Sequence, residues 1–204
     1  MKPSLVKRAF KPLGIKLAAL GLRPRSPGIF TVELAPGYLG WLGLNKAVFD
    51  DTVEINPVVG VRNEELEKLV TQFAGVDQPF LQPSVASPLG YLLPGNSYVT
   101  FQFGAADDYD VRADEIVTLI RDYGLPFMRA HQELPALCHR IRTAYHGPAN
   151  QQAYRLACGY YLQRRVPEAR AVIVDGLTRF GGGQGPAAKD FRSFARRFLE
   201  GTSR

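Results

Sequence analysis

Between residues 29 and 61 apolar side chains tend to alternate with polar ones, and from residue 110 onward they recur every third or fourth position. The first period belongs to strands, whose successive side chains point to opposite faces. The second belongs to helices with one buried stripe. A chain that spends its strands first and its helices afterwards is not built like an alternating, doubly wound parallel sheet. The expected fold class is α+β: an N-terminal helix and antiparallel sheet followed by a C-terminal helical bundle. Divided by element type, residues 1–109 form the sheet part and residues 110–204 the helical part, as one continuous structural unit. A chain of 204 residues with 46% hydrophobic side chains buries a core without disulfide staples.

Local signals set the elements. Val6, Phe10, Leu13, Leu17 and Leu20 mark a helix over 4–21, kinked or delayed by Pro12 and ended by Gly21 in the left-handed conformation. Residues 23–28 read as a loop. Residues 29–61 read as an antiparallel meander with a turn at Pro36-Gly37, in which Pro57 confines the last strand to an edge or ends it, with 58–61 as its resumption. Asn63 caps a helix that buries Leu66, Leu69, Val70 and Phe73 and closes at Gly75. Residues 79–96 hold only short extended pieces, and 97–103 read as a strand. Asp108 or Asp110 caps a helix stopped by Gly124. Pro126 opens another, which Pro135 kinks. Three apolar stripes then mark helices around Tyr154, Ile173 and Phe194, the last two separated by a flexible glycine linker at 181–186. The pair over 150–180 is similar in outline to a tetratricopeptide hairpin. Its turn is short and no second copy follows, so it reads as a generic αα-hairpin.

Charge is segregated along the chain. Residues 1–25 carry seven bases and no acids, residues 26–135 six bases and fifteen acids, and residues 136–204 twelve bases and four acids. Either the basic ends fold against the acidic middle, or a basic face meets nucleic acid, a membrane surface or an acidic protein. No run reaches the roughly 18 apolar residues of a membrane span. Lys16, Pro12 and Gly14 break the N-terminal run too early for a secretory core, although the acid-free stretch 1–25 has the composition of a transit peptide. Cys138 and Cys158 lie among apolar residues and read as reduced core thiols, which points to the cytoplasm.

Catalytic and metal signatures are missing from the sequence. Of the metal candidates His131, Cys138, His139 and His146, residues seven apart such as His131 and Cys138 stand about 10.5 Å apart along a straight helix, whereas zinc ligands sit about 2.0–2.3 Å from one ion, and no histidine pair has the i, i+4 spacing of a helical site. Asp107, Asp108 and Asp110 lack the calcium-loop spacing and suit a helix start. The glycines at 181–185 follow a helix and lack the lysine of a phosphate loop. No Gly-x-Ser-x-Gly occurs. The expectation is therefore no metal, no cofactor and no catalytic residue.

The residues suited to binding are Trp41, the only tryptophan, with Asn45, Asn56 and Arg62. If 38–46 is a strand, Trp41 and Asn45 share a face. A second group, Arg164, Arg165, Lys189, Arg192, Arg196 and Arg197, forms a candidate basic face. These features favour a non-catalytic, bacterial-type module that binds another protein, an immunity or inhibitor protein being one form of it. The alternatives are a nucleic-acid-associated protein using the basic C-terminal helices, and an enzyme whose site assembles only in space.

Overall fold

The structure, a computed structural model, describes residues 5–75 and 81–202. Residue 4, where the first helix was expected to begin, and residues 79 and 80 of the Pro/Gly-rich stretch lie outside them. The elements in chain order are α1 (Leu5–Ala19), β1 (Arg23–Ser26), β2 (Ile29–Ala35), β3 (Tyr38–Val48), β4 (Thr52–Asn63), α2 (Glu64–Ala74), β5 (Val85–Pro88), β6 (Phe101–Gly104), α3 (Tyr109–Leu119), α4 (Leu125–Ala130), α5 (Leu134–Thr143), α6 (Ala149–Leu162), α7 (Val166–Phe180) and α8 (Pro186–Gly201). The α+β expectation holds: an N-terminal helix, a six-stranded antiparallel sheet, then a helical C-terminal region. No helix among the described residues is long and apolar enough to cross a membrane.

Packing divides the chain differently from the 109/110 boundary drawn by element type. One unit comprises residues 1–61 and 86–130, the other residues 62–85 and 131–204.

The first unit holds α1, most of the sheet, α3 and α4. Strand order is β1-β2-β3-β4-β5, with β6 also on β4. Two Pro-Gly pairs turn the first hairpins. Gly28 has φ 80° between Ser26 and its partner Ile29, and Gly37 has φ 77° between Ala35 and its partner Tyr38. Proline presets the first turn position and glycine takes the left-handed one without a Cβ penalty. The first of these turns changes the reading of 23–28: four of those residues form β1 rather than a loop. Pro24 fits there because β1 is an edge strand and one side of it needs no N–H. Pro57 behaves differently from expectation, since β4 runs through it without ending. It lies beyond Thr52–Ile55, the stretch registered against β6, so its missing N–H costs that ladder nothing. Residues 97–100 are not strand, and β6 begins only at Phe101.

Helices cover one face of this sheet. A Cβ on Gly40 would lie 2.8 Å from Met128 Sδ of α4 and from Val32 Cγ1. One on Gly124 would lie 3.0 Å from Val59 Cγ1. Gly124 therefore permits close approach and does not stop its helix; the chain continues from α3 through a π-helical turn, Ile120–Gly124, into α4. Ala9, Leu13 and Leu17 of α1 and Ala113 and Ile116 of α3 are fully buried. Lys16 Nζ reaches Asp114 Oδ1 at 2.7 Å, tying the two helices at their exposed side.

The second unit is helical. Asn63 Oδ1 accepts from Leu66 N, and Gly75, at φ 67°, closes α2. Pro135 starts α5 rather than kinking a longer helix: α4 stops at Ala130, and Pro135 stands in the first turn of α5, where no N–H is needed. The apolar stripe of α8 supplies Phe191, Phe194 and Phe198, which are fully buried. Tyr154 of α6 stacks on Phe194 at 3.9 Å between centroids, and Phe73 of α2 meets Phe198 edge-on at 5.1 Å.

Candidate binding surface

Alternation along β3 sends Gly40, Leu42 and Leu44 to the helix-covered side of the sheet and Leu39, Trp41, Gly43 and Asn45 to the other. Trp41 is half-buried and lies directly opposite Thr31 on β2. Its ring extends over Gly43, where any Cβ would collide with it. Thr31 Oγ1 in turn accepts from Arg25 Nε at 2.8 Å. The tryptophan is thus seated on the outer sheet face by a neighbouring glycine and a hydrogen-bonded threonine.

Toward its end β3 runs out into open solvent on both faces. All seven residues from 45 to 51 are exposed, and among them Val48 is 59% and Phe49 53% exposed. The turn is nonetheless ordered, since Phe49 N donates to Thr52 O at 2.9 Å. These large apolar side chains leave more than half of their surface in water, and Asp50 and Asp51 follow at once. The sequence reading missed Val48 and Phe49, although an aromatic just ahead of a two-aspartate turn is a usable signal.

Asn45 shares the face of Trp41 and is exposed. Asn56 is 7% exposed, and its Nδ2 donates to Val99 O at 2.7 Å, so its amide supports the fold. Arg62 belongs to the second unit. Its Nε meets Glu64 Oε1 at 3.0 Å and its Nη1 donates to Gln82 O at 2.8 Å, tying the start of α2 to the segment leading into β5.

The candidate basic face is largely spent inside the second unit. Arg197 Nη1 donates to Phe73 O and Ala74 O, the last carbonyls of α2. Arg192 Nη1 donates to Gly181 O and Gly183 O just past α7, which pins the glycine run expected to be a flexible linker. Both place a cation at the negative end of a helix. Arg165 pairs with Glu168 at 3.1 Å and stacks 4.5 Å over the Tyr160 ring. Lys189, Arg164 and Arg196 are exposed. Arg164 occupies the left-handed position, φ 62°, of a Schellman turn closed by Arg165 N to Tyr160 O and Arg164 N to Tyr161 O.

Sequence reading also missed a buried ion pair. Glu67 and Arg155 are sealed from solvent, and the guanidinium meets the carboxylate by two bonds, Nε–Oε1 at 2.9 Å and Nη2–Oε2 at 3.0 Å. Arg155 Nη1 also donates to Tyr145 Oη and Gln151 Oε1. Burial works against the guanidinium's charge, but Glu67 beside it leaves its pKa raised overall. This is a closed structural network. Cys138 and Cys158 are buried and unbridged, and burial pushes the Cys138 thiol up to about 11. The acids around residue 110 all have local duties: Asp107 accepts from Gly104 N, Asp108 caps α3, and Asp110 and Asp114 face Lys16. Among the described residues no three His, Cys, Asp or Glu side chains converge as a metal site. No protein-family model, curated protein or solved structure matches this chain.

Proposed function

We propose that the chain is a non-catalytic protein-binding module whose contact surface joins Trp41, on the outer face of β3, to the hairpin end that carries Val48 and Phe49. The observation that carries the reading is the hairpin end, where two large apolar side chains more than half exposed project from an ordered turn. The exposed part of each loses contact with water only when a partner covers it, which contributes about 1–1.5 kcal/mol per side chain, roughly half the value for full burial. Trp41, seated and half-exposed, supplies a rigid aromatic anchor of the kind that dominates interface energetics. Asp50, Asp51 and Lys46 beside the tip provide a charged rim. An immunity or inhibitor role, in which the projecting hairpin covers a partner's working surface, is one form of this reading.

The nucleic-acid alternative draws less support. Of its six cations, Arg192 and Arg197 serve helix ends and Arg165 is paired, which leaves three for phosphate. The test is affinity capture from nuclease-treated extract of the native host, with the wild-type chain beside Phe49→Asp and Trp41→Ala. One stoichiometric protein partner held by the wild type and lost by both variants is expected. Recovery of nucleic acid that vanishes at high salt would transfer the assignment to the basic helices.

A further inference from the structure

At the open end of the α6–α7 hairpin a cleft of about 220 Å³ lies between the two helices, beside the end of α5. It exists because the α6 positions that line it are small. Ala149 and Ala153 leave a gap that Leu156 and Phe180 close at either end, whereas the space beside Gly176 of α7 is taken by the Phe191 ring of α8. At about 30 Å³ per water, the cleft has room for roughly seven waters. Its volume falls below the ~300–1,000 Å³ of drug-sized sites, so it suits a smaller molecule.

The floor is apolar and the mouth is charged. Ala153 and Leu156 are buried, while Arg142, Asp175 and Arg179 at the mouth are exposed. Asp175 and Arg179 approach each other at 3.4 Å and offset one another. That leaves Arg142 as the uncompensated charge, its guanidinium 3.5 Å from the Nδ1 of the neighbouring His139 ring. The backbone beneath it is held: Gln152 Nε2 donates to Ile141 O at 2.7 Å and to Arg142 O at 3.3 Å. A planar guanidinium matches a carboxylate with two parallel bonds.

We propose that this cleft binds a small monocarboxylate with an apolar body, the body against Ala153 and Leu156 and the carboxylate on Arg142. The site is separate from the β3 surface and does not depend on its having a partner. Hexanoate, hexanol and hexylamine test it, titrated into the full chain while backbone amide resonances of α6 and α7 are followed. Hexanoate should shift the resonances of Leu156, Val172 and Gly176, with hexanol and hexylamine much weaker. Arg142→Gln should weaken hexanoate about tenfold, since a bond to a charged group is lost. Ala149→Leu, at an exposed position on the rim, should block entry while leaving the fold intact. Equal shifts from hexanol and hexanoate, no response to hexanoate at millimolar concentration, or unchanged affinity in Arg142→Gln would each overturn the proposal.

Discussion

Glu67 shows what single residues do here against the pattern around them. On α2 the stripe Leu66, Val70 and Phe73 is buried as periodicity indicates, but the expected Leu69 is only half-buried while Glu67 is fully buried. Periodicity of apolar residues cannot place a carboxylate inside; only its partner 88 positions away does so. Glu67→Gln should cost about 3–5 kcal/mol, because it strands a guanidinium without a counter-charge. Converting both Glu67 and Arg155 to Met should cost less than the two single changes added together. Urea midpoints of the wild type, Glu67→Gln, Glu67→Met, Arg155→Met and the double Met variant measure both statements. Cys138 supplies a pH dependence. The folded chain keeps this proton up to about 11, whereas an unperturbed thiol releases it near 9.0. Between those values the folded state binds more protons than the unfolded one, so stability should fall as pH rises through that window. Cys138→Ala should make the decline shallower without abolishing it, because burial raises the Cys158 thiol as well; the readout is the change in urea midpoint from neutral to alkaline pH.

At the scale of elements, helices with clean stripes were legible and proline- or glycine-bearing segments were not. The spacing of Phe191, Phe194 and Phe198 located α8, and Asn63 and Gly75 marked both ends of α2. Pro24, Pro57, Gly124 and Pro135 were misread because their effect depends on a neighbour. Pro24 is tolerated at a sheet edge, and Gly124 is needed for its approach to Val59. The basic residues of α8 carry the same lesson, for sequence gives their charge but not whether a helix end consumes it. Arg197→Ala removes two bonds to the end of α2 and should lower stability by about 1–2 kcal/mol, whereas Arg196→Ala one position earlier should stay within about 0.5 kcal/mol. Thermal unfolding of the two variants makes the comparison. Arg164→Gly should instead raise stability by about 1 kcal/mol, because glycine takes the left-handed turn between α6 and α7 without strain. A chemical-denaturation midpoint at or below wild type would show that the arginine side chain compensates for its backbone.

For the molecule as a whole, the segregated charges resolve partly into structure. Lys16 of the basic N-terminal stretch pairs with Asp110 and Asp114 of the acidic middle. In the basic C-terminal stretch Arg155, Arg170, Arg192 and Arg197 serve interior carboxylates and carbonyls. The proposed contact surface joins a half-buried Trp41 to an exposed hairpin end at Val48 and Phe49, and only half of it was legible: a lone tryptophan stands out in a sequence, while a hairpin end declares its exposure only once the strands are paired. The direct measurement is the affinity of the partner captured by the wild-type chain for Phe49→Asp and Trp41→Ala, each first shown to be folded by circular dichroism. The account predicts near-native stability for Phe49→Asp and binding at least about thirtyfold weaker for both variants, the loss expected of a central interface residue. Undiminished binding by two folded variants would contradict it.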